Sequence, residues 1–146
     1  MDADKTDKPM LKKVSTILFY LAAAWCVVIG IQNQTIAGAG DLPWIAKALE
    51  GQDLSAFNPI LAIWAHWIGM LLIVAGAAIL VLIPRIHDSP GTLLAAGIIS
   101  SGTISAQVFS VVSLGAFGPV LIAASVAVTI SFAAPILGFL AARTRP

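Results

Sequence analysis

The chain alternates between long apolar stretches and short polar segments. Four stretches contain almost no charge and are long enough to cross a bilayer: residues 14–31, 59–83, 92–114 and 119–142. The second is bounded by Asn58, a good helix cap, and by Pro84, which interrupts a helix. At 1.5 Å per residue, the 24 residues 60–83 span about 36 Å, more than a hydrocarbon core of about 30 Å. The pattern predicts an all-α, four-helix transmembrane bundle.

The polar segments between these stretches predict the remaining organisation. Residues 1–13 are predicted to form a disordered cytoplasmic tail, and residues 143–146 a cytoplasmic end. The outer loop 32–57 contains a predicted short helix, 41–50, which either covers the bundle as a lid or simply lies against lipid. A cleavable signal peptide is the rival interpretation of the N-terminal stretch. Its apolar run of 18 residues is longer than usual for a signal peptide, so we expect the first span to be retained.

Composition agrees with the membrane assignment. Hydrophobic residues make up 59% of the chain and charged residues 10%, and mean hydropathy is +0.97. A net charge of +1 gives no electrostatic case for nucleic acid, and the single Cys26 cannot form an intrachain disulfide.

The basic residues predict the orientation of the chain. Lys47 is the only one of the eight Lys and Arg residues on the predicted outer side. Because basic residues favour the cytoplasmic side, both termini are predicted to be cytoplasmic, in a multi-pass protein of the cell (inner) membrane.

His66 is the most informative residue of the second stretch. An ionisable side chain within a span is expensive, so we expect it to face a partner or a cavity. One interpretation is a neutral histidine bonded to a neighbouring helix; the other is a haem or metal ligand, or a proton carrier. Gly69 and Gly76 follow on the same predicted helix face and would allow close helix packing.

The third stretch is distinguished by its hydroxyl and amide side chains. Ser100, Thr103 and Gln107 lie on one predicted face, and Ser101 marks a second. In a bilayer such residues should point into the bundle, as interhelical hydrogen bonds or as the lining of a ligand pocket. We expect this stripe to lie across from His66.

Several features together resemble styrene oxide isomerases, small four-helix membrane enzymes that use haem b to turn an epoxide into an aldehyde. The similar residues are Ala65-His66 and Pro84 in the second span, Leu93, Leu94, Ile98, Ile99 and Gly102 in the third, and Phe117-Gly118-Pro119 and Ala134-Pro135 in the last. Where that family has a pocket asparagine, aspartate and tyrosine, this chain has Leu72, Ser101 and Phe109. The resemblance implies the fold and a haem b held by His66, without the epoxide chemistry.

Two classes of function remain open at this point. The first is a haem-binding or otherwise histidine-dependent enzyme that acts on a small apolar molecule entering from lipid. The second is a non-catalytic membrane subunit that packs against itself, as a homo-oligomer, or against a larger complex. A transporter ranks third, because the predicted spans contain no carboxylate. The sequence contains no HExxH or CxxC motif and predicts no metal site.

Overall fold

The computed structural model describes residues 3–39, 58–113 and 118–143. Within these ranges the chain forms α1 (Ala3–Ala39), α2 (Asn58–Leu82), α3 (Pro90–Ser113) and α4 (Pro119–Arg143). A 3₁₀ turn, Ile83–Arg85, follows α2 and contains Pro84. The predicted helical bundle is therefore confirmed for this part of the chain.

Each of the four helices is long and apolar enough to cross a membrane. The qualifying segments are Lys8–Thr35, Ile63–Arg85, Pro90–Ser110 and Leu121–Arg143. Helices of this kind indicate a multi-pass membrane protein. The side of the membrane on which each terminus lies stays a prediction.

The first helix is longer than the sequence predicts. It begins at Ala3 and continues to Ala39, so it includes most of the segment predicted as a disordered tail and the start of the predicted outer loop. Extending an existing helix by one residue costs little, because each added residue gains a backbone hydrogen bond without a new nucleation step. The predicted short helix 41–50 lies outside the described residues.

α1 and α2 approach each other closely enough for backbone contact. A Cβ placed on Gly30 would lie 2.8 Å from the carbonyl oxygen of Gly69, and one on Gly69 would lie 2.9 Å from that of Gly30. A Cβ on Gly76 would lie 2.9 Å from the carbonyl oxygen of Ala23. The structure thus places Gly69 and Gly76 on the face of α2 that contacts α1, as in small-residue packing of membrane helices.

The opposite side of α1 packs against α4. Ser15 is buried, and its hydroxyl donates a 2.7 Å hydrogen bond to the carbonyl oxygen of Ala134. A Cβ on Gly138 would lie 3.0 Å from the same hydroxyl oxygen. This bond joins α1 to the residue preceding Pro135, which lies within α4.

The helices form a ring in which the contacts are unequal. α1 packs extensively against α2 and α4, and α3 packs against α4. α2 and α3 share far less surface. The ring is therefore loosest between α2 and α3, where a cleft opens.

Candidate ligand-binding cleft

The cleft between α2 and α3 has a volume of about 610 Å³. It is lined by side chains of two spans, almost all apolar: Ile68, Leu71, Leu72, Val74, Ala75, Ala78, Ile98, Ile99, Gly102, Thr103, Ala106, Gln107 and Ser110. Leu71, Val74 and Ile98 are each about 60% exposed, so the cleft opens on the outside of the bundle. In a membrane that opening faces the lipid.

Three polar side chains of α3 lie in this lining. The Ser110 hydroxyl donates to the carbonyl oxygen of Ala106 at 2.9 Å, one turn back on its own helix. The Thr103 hydroxyl makes no hydrogen bond with any residue that the structure describes. Gln107 is the third, and its partner comes from α1.

The Gln107 amide is oriented by Trp25. The indole nitrogen Nε1 of Trp25 donates a 2.9 Å hydrogen bond to Oε1 of Gln107. An indole N–H can only donate, so the atom facing it must be the amide oxygen, and this fixes which end of the amide is the –NH₂ group. Nε2 of Gln107 then has two donors without a hydrogen-bond partner among the described residues. This nitrogen is not fully buried, because every fully buried side-chain nitrogen or oxygen among the described residues has a hydrogen-bond partner.

The other two predicted pocket residues lie elsewhere. Ser100 is buried and donates to the carbonyl oxygen of Gly97 at 3.2 Å. Ser101 donates to the same oxygen at 2.6 Å. Both hydroxyls are satisfied by their own helix, a common solution for serine in membrane spans, and neither lines the cleft.

His66 does not meet the polar stripe of α3. Ala75, in the cleft lining, is nine residues further along α2 and therefore about half a turn round the helix from His66. The His66 side chain is exposed and makes no hydrogen bond with the described residues. Its carbonyl oxygen accepts a 2.7 Å bond from Nε2 of Gln34 on α1. In the described bundle the α3 stripe does not lie across from His66, because the two glycines bring α1 against α2 beside it and leave the imidazole on the outer surface. That the imidazole faces a partner stays a prediction.

The described residues leave the His66 side chain exposed. His66 does not line the α2–α3 cleft. The described residues contain no cluster of three His, Cys, Asp or Glu side chains that would hold a metal ion. His66 offers a single imidazole ligand on an open surface. Groups that enclose the other side of a bound haem would therefore have to come from outside the described bundle.

His87 occupies a position that the sequence did not reveal. Its Nε2 lies 3.0 Å from Oγ1 of Thr16 and 3.1 Å from the carbonyl oxygen of Lys12. A carbonyl oxygen only accepts, so Nε2 carries the proton. Partial burial lowers the pKa of His87 below its usual value. The sequence predicts only a solvated loop histidine here, since no local pattern links residue 87 to residues 12–16.

No protein-family model, no curated protein and no solved structure matches this chain. The resemblance to styrene oxide isomerases therefore stays a prediction.

Proposed function

We propose that this multi-pass membrane protein takes up a small, mainly apolar molecule from the bilayer into the α2–α3 cleft. The observation that carries the proposal is the cleft itself, at about 610 Å³ between two spans. Ligand sites in proteins are typically clefts of about 300–1,000 Å³, lined by apolar side chains with a few polar groups that orient the ligand. Thr103 and Gln107 are such groups here, and they belong to the residues that the sequence indicates for a pocket.

The chemistry of the lining favours binding over catalysis. None of the lining residues that the structure describes is an acid, a base or an activated nucleophile. General acid–base and nucleophilic catalysis both require such a group within hydrogen-bond reach of the substrate. The cleft therefore supports the recognition or storage of a ligand.

Gly102 allows the cleft to be filled without disturbing the fold. A Cβ placed there would meet no atom within 4 Å, although Gly102 lines the cleft. Gly102→Leu should therefore block the cleft while the protein remains folded. The matched control is Ala123→Leu on the exposed face of α4.

Trp25 provides the readout, because it bonds to a lining residue. A variant with the substitutions Trp44→Phe, Trp64→Phe and Trp67→Phe keeps Trp25 as the single tryptophan. In liposomes we expect 1-bromonaphthalene to quench its fluorescence saturably, and Gly102→Leu to remove the saturable part. Quenching that rises only linearly with the probe, as simple partitioning into lipid gives, would contradict the proposal.

A second candidate function is an assembled membrane subunit, and the exposed His66 is the observation that favours it. An imidazole facing lipid within a span lacks the hydrogen-bond partners that its burial in hydrocarbon demands. A second copy of the chain, or a larger complex, would supply them. In this proposal a haem b would lie between His66 and the neighbouring chain, and not inside one bundle.

The second proposal is tested by measuring the oligomeric state of the protein together with its haem absorbance. Protein expressed with haem supplied should elute from a sizing column as an oligomer in mild detergent, and that fraction should carry a Soret band. His66→Ala should abolish the band, whereas His87→Ala should retain it. An oligomer without the band would end the haem proposal and leave the subunit proposal standing; a colourless monomer would end both.

A further inference from the structure

We infer that the natural occupant of the α2–α3 cleft is the acyl chain of an ester-linked bilayer lipid, whose carbonyl oxygen accepts a hydrogen bond from Nε2 of Gln107. This inference rests on the proposed function and names the ligand class of the same site. It follows from three properties of the cleft: the hydrogen-bonding character of Gln107, the depth of that residue, and the shape of the apolar lining.

Gln107 has a free –NH₂ group at the cleft. Its Oε1 accepts the indole N–H of Trp25 at 2.9 Å through one of its two lone pairs, so the unpartnered nitrogen is the donor Nε2. The remaining –NH₂ group lies in the membrane-spanning part of α3, where an unpaired donor costs free energy. Thr103 can rotate to bond a carbonyl one turn back on its own helix, but the longer glutamine side chain has no such escape. The ligand must therefore bring an acceptor oxygen.

The depth of Gln107 is close to the ester layer of a bilayer. α3 ends at Ser113, so Gln107 lies six residues, or about 9 Å, from its end. The 24-residue helix is about 36 Å long and exceeds the roughly 30 Å apolar core by about 3 Å at each end, so a centred helix places Gln107 about 6 Å inside the hydrocarbon boundary, where ester carbonyls begin. A lipid carbonyl therefore has to lie only a few ångströms below its normal depth to reach the Gln107 side chain.

The rest of the cleft continues from that point into the membrane. On α3 its lining extends from Ser110 to Ile98, and on the antiparallel α2 from Ile68 to Ala78, distances of about 18 Å and 15 Å along the helix axes. Ile98, Ile99 and Ala78 form the deep end, and the polar side chains lie towards the shallow end. An elongated apolar groove, polar near the interface and open to lipid along one side, matches a single acyl chain better than a compact ring molecule.

The test uses lipids with bromine at positions 6 and 7 of the chain, which quench a nearby tryptophan. The single-Trp25 variant is reconstituted in bilayers with a small, varied fraction of brominated diester lipid or of the matching brominated diether lipid, which lacks the carbonyl. We expect about a fivefold preference for the diester, the order that one net hydrogen bond provides. Gln107→Met, which removes both donors and keeps the length of the side chain, should reduce that preference to about one.

Gln34→Met is the matched control, since Gln34 lies on the opposite side of α2 and bonds to the carbonyl oxygen of His66. It should leave the diester preference unchanged. Equal quenching by the two lipids, or a preference that survives Gln107→Met, would show ordinary annular lipid only and overturn the inference. The diester–diether comparison needs no substitution at Gln107, so it stands even where Gln107→Met fails to fold.

The two proposals fail in different ways. Loss of the diester preference with saturable bromonaphthalene quenching intact would overturn the lipid inference alone. Loss of both would overturn the ligand-binding function as well.

Discussion

The two sides of α2 show opposite solutions to helix packing. On one side Gly69 and Gly76 bring its backbone against α1, so that a Cβ on either glycine would lie 2.9 Å from a carbonyl oxygen. On the other side α2 faces α3 across a cleft of about 610 Å³, where Gly102 has nothing within 4 Å of a Cβ position. In lipid no general hydrophobic force closes such a gap, so helices meet where small residues or hydrogen bonds hold them. A closely packed α1–α2 pair beside an open α2–α3 boundary is the arrangement on which the proposed ligand uptake rests.

The largest difference in stability is expected between a leucine placed at the α1–α2 boundary and a leucine placed at the α2–α3 boundary. Gly69→Leu should destabilise the fold by about 3 kcal/mol, because the atoms it meets include backbone that cannot move aside. Gly102→Leu should change stability by less than about 0.5 kcal/mol, as surface substitutions do. Reversible unfolding in mixed micelles measures both values. Similar losses for the two leucines would mean that the two boundaries are equally tight.

The next effect in size concerns the other boundary of α1. Ser15→Ala removes the buried hydrogen bond to the carbonyl oxygen of Ala134 and should cost about 1 kcal/mol in the same assay. Thr129→Val is its control, since that hydroxyl is exposed and bonds to the carbonyl oxygen of Ser125 on its own helix. We expect Thr129→Val to be close to neutral. A cost at Thr129 equal to that at Ser15 would count against a special role for the α1–α4 bond.

A smaller effect is expected where α1 reaches across to the cleft. The Trp25–Gln107 hydrogen bond should show a coupling energy of about 0.6 kcal/mol, the average for such bonds between membrane helices. A double-mutant cycle with Trp25→Phe and Gln107→Met isolates this term. Strictly additive effects would show that the two side chains do not hold each other in place, and would remove the basis for orienting the Gln107 amide.

The smallest effect is a dependence of stability on pH from His87. Its pKa is lower in the folded protein than in the unfolded chain, mainly because of partial burial. The unfolded chain then binds the proton more readily, so the contribution is fully present above the ordinary histidine pKa of about 6.5 and is lost as pH falls below it. Comparing unfolding at pH 7.5 and pH 5.5 in wild type and His87→Gln measures the difference. A wild-type protein that becomes more stable in acid through His87 would contradict the assigned direction.

Much of the fold could be predicted from the sequence. Hydrophobic length predicts the four helices able to cross a bilayer that the described residues form, and Asn58, Pro84 and Pro119 indicate where helices begin or end. The glycines of α2 and the polar side chains of α3 also mark, by residue type alone, positions where a helix has unusual neighbours. These features are local, so the order of residues is enough to reveal them.

The partners of each helix face were decided only by the tertiary structure. In a span that is apolar all round, hydrophobic periodicity gives no direction, and the rotation of the helix is set by which small residues meet. The contact of Gly30 with Gly69 turns His66 outward, away from the α3 stripe, and the same rotation places Ala75 in the cleft. The bonds from Trp25 to Gln107 and from His87 to the carbonyl of Lys12 join residues more than 70 positions apart. No local pattern encodes such pairs, because they arise from packing that couples all four helices at once.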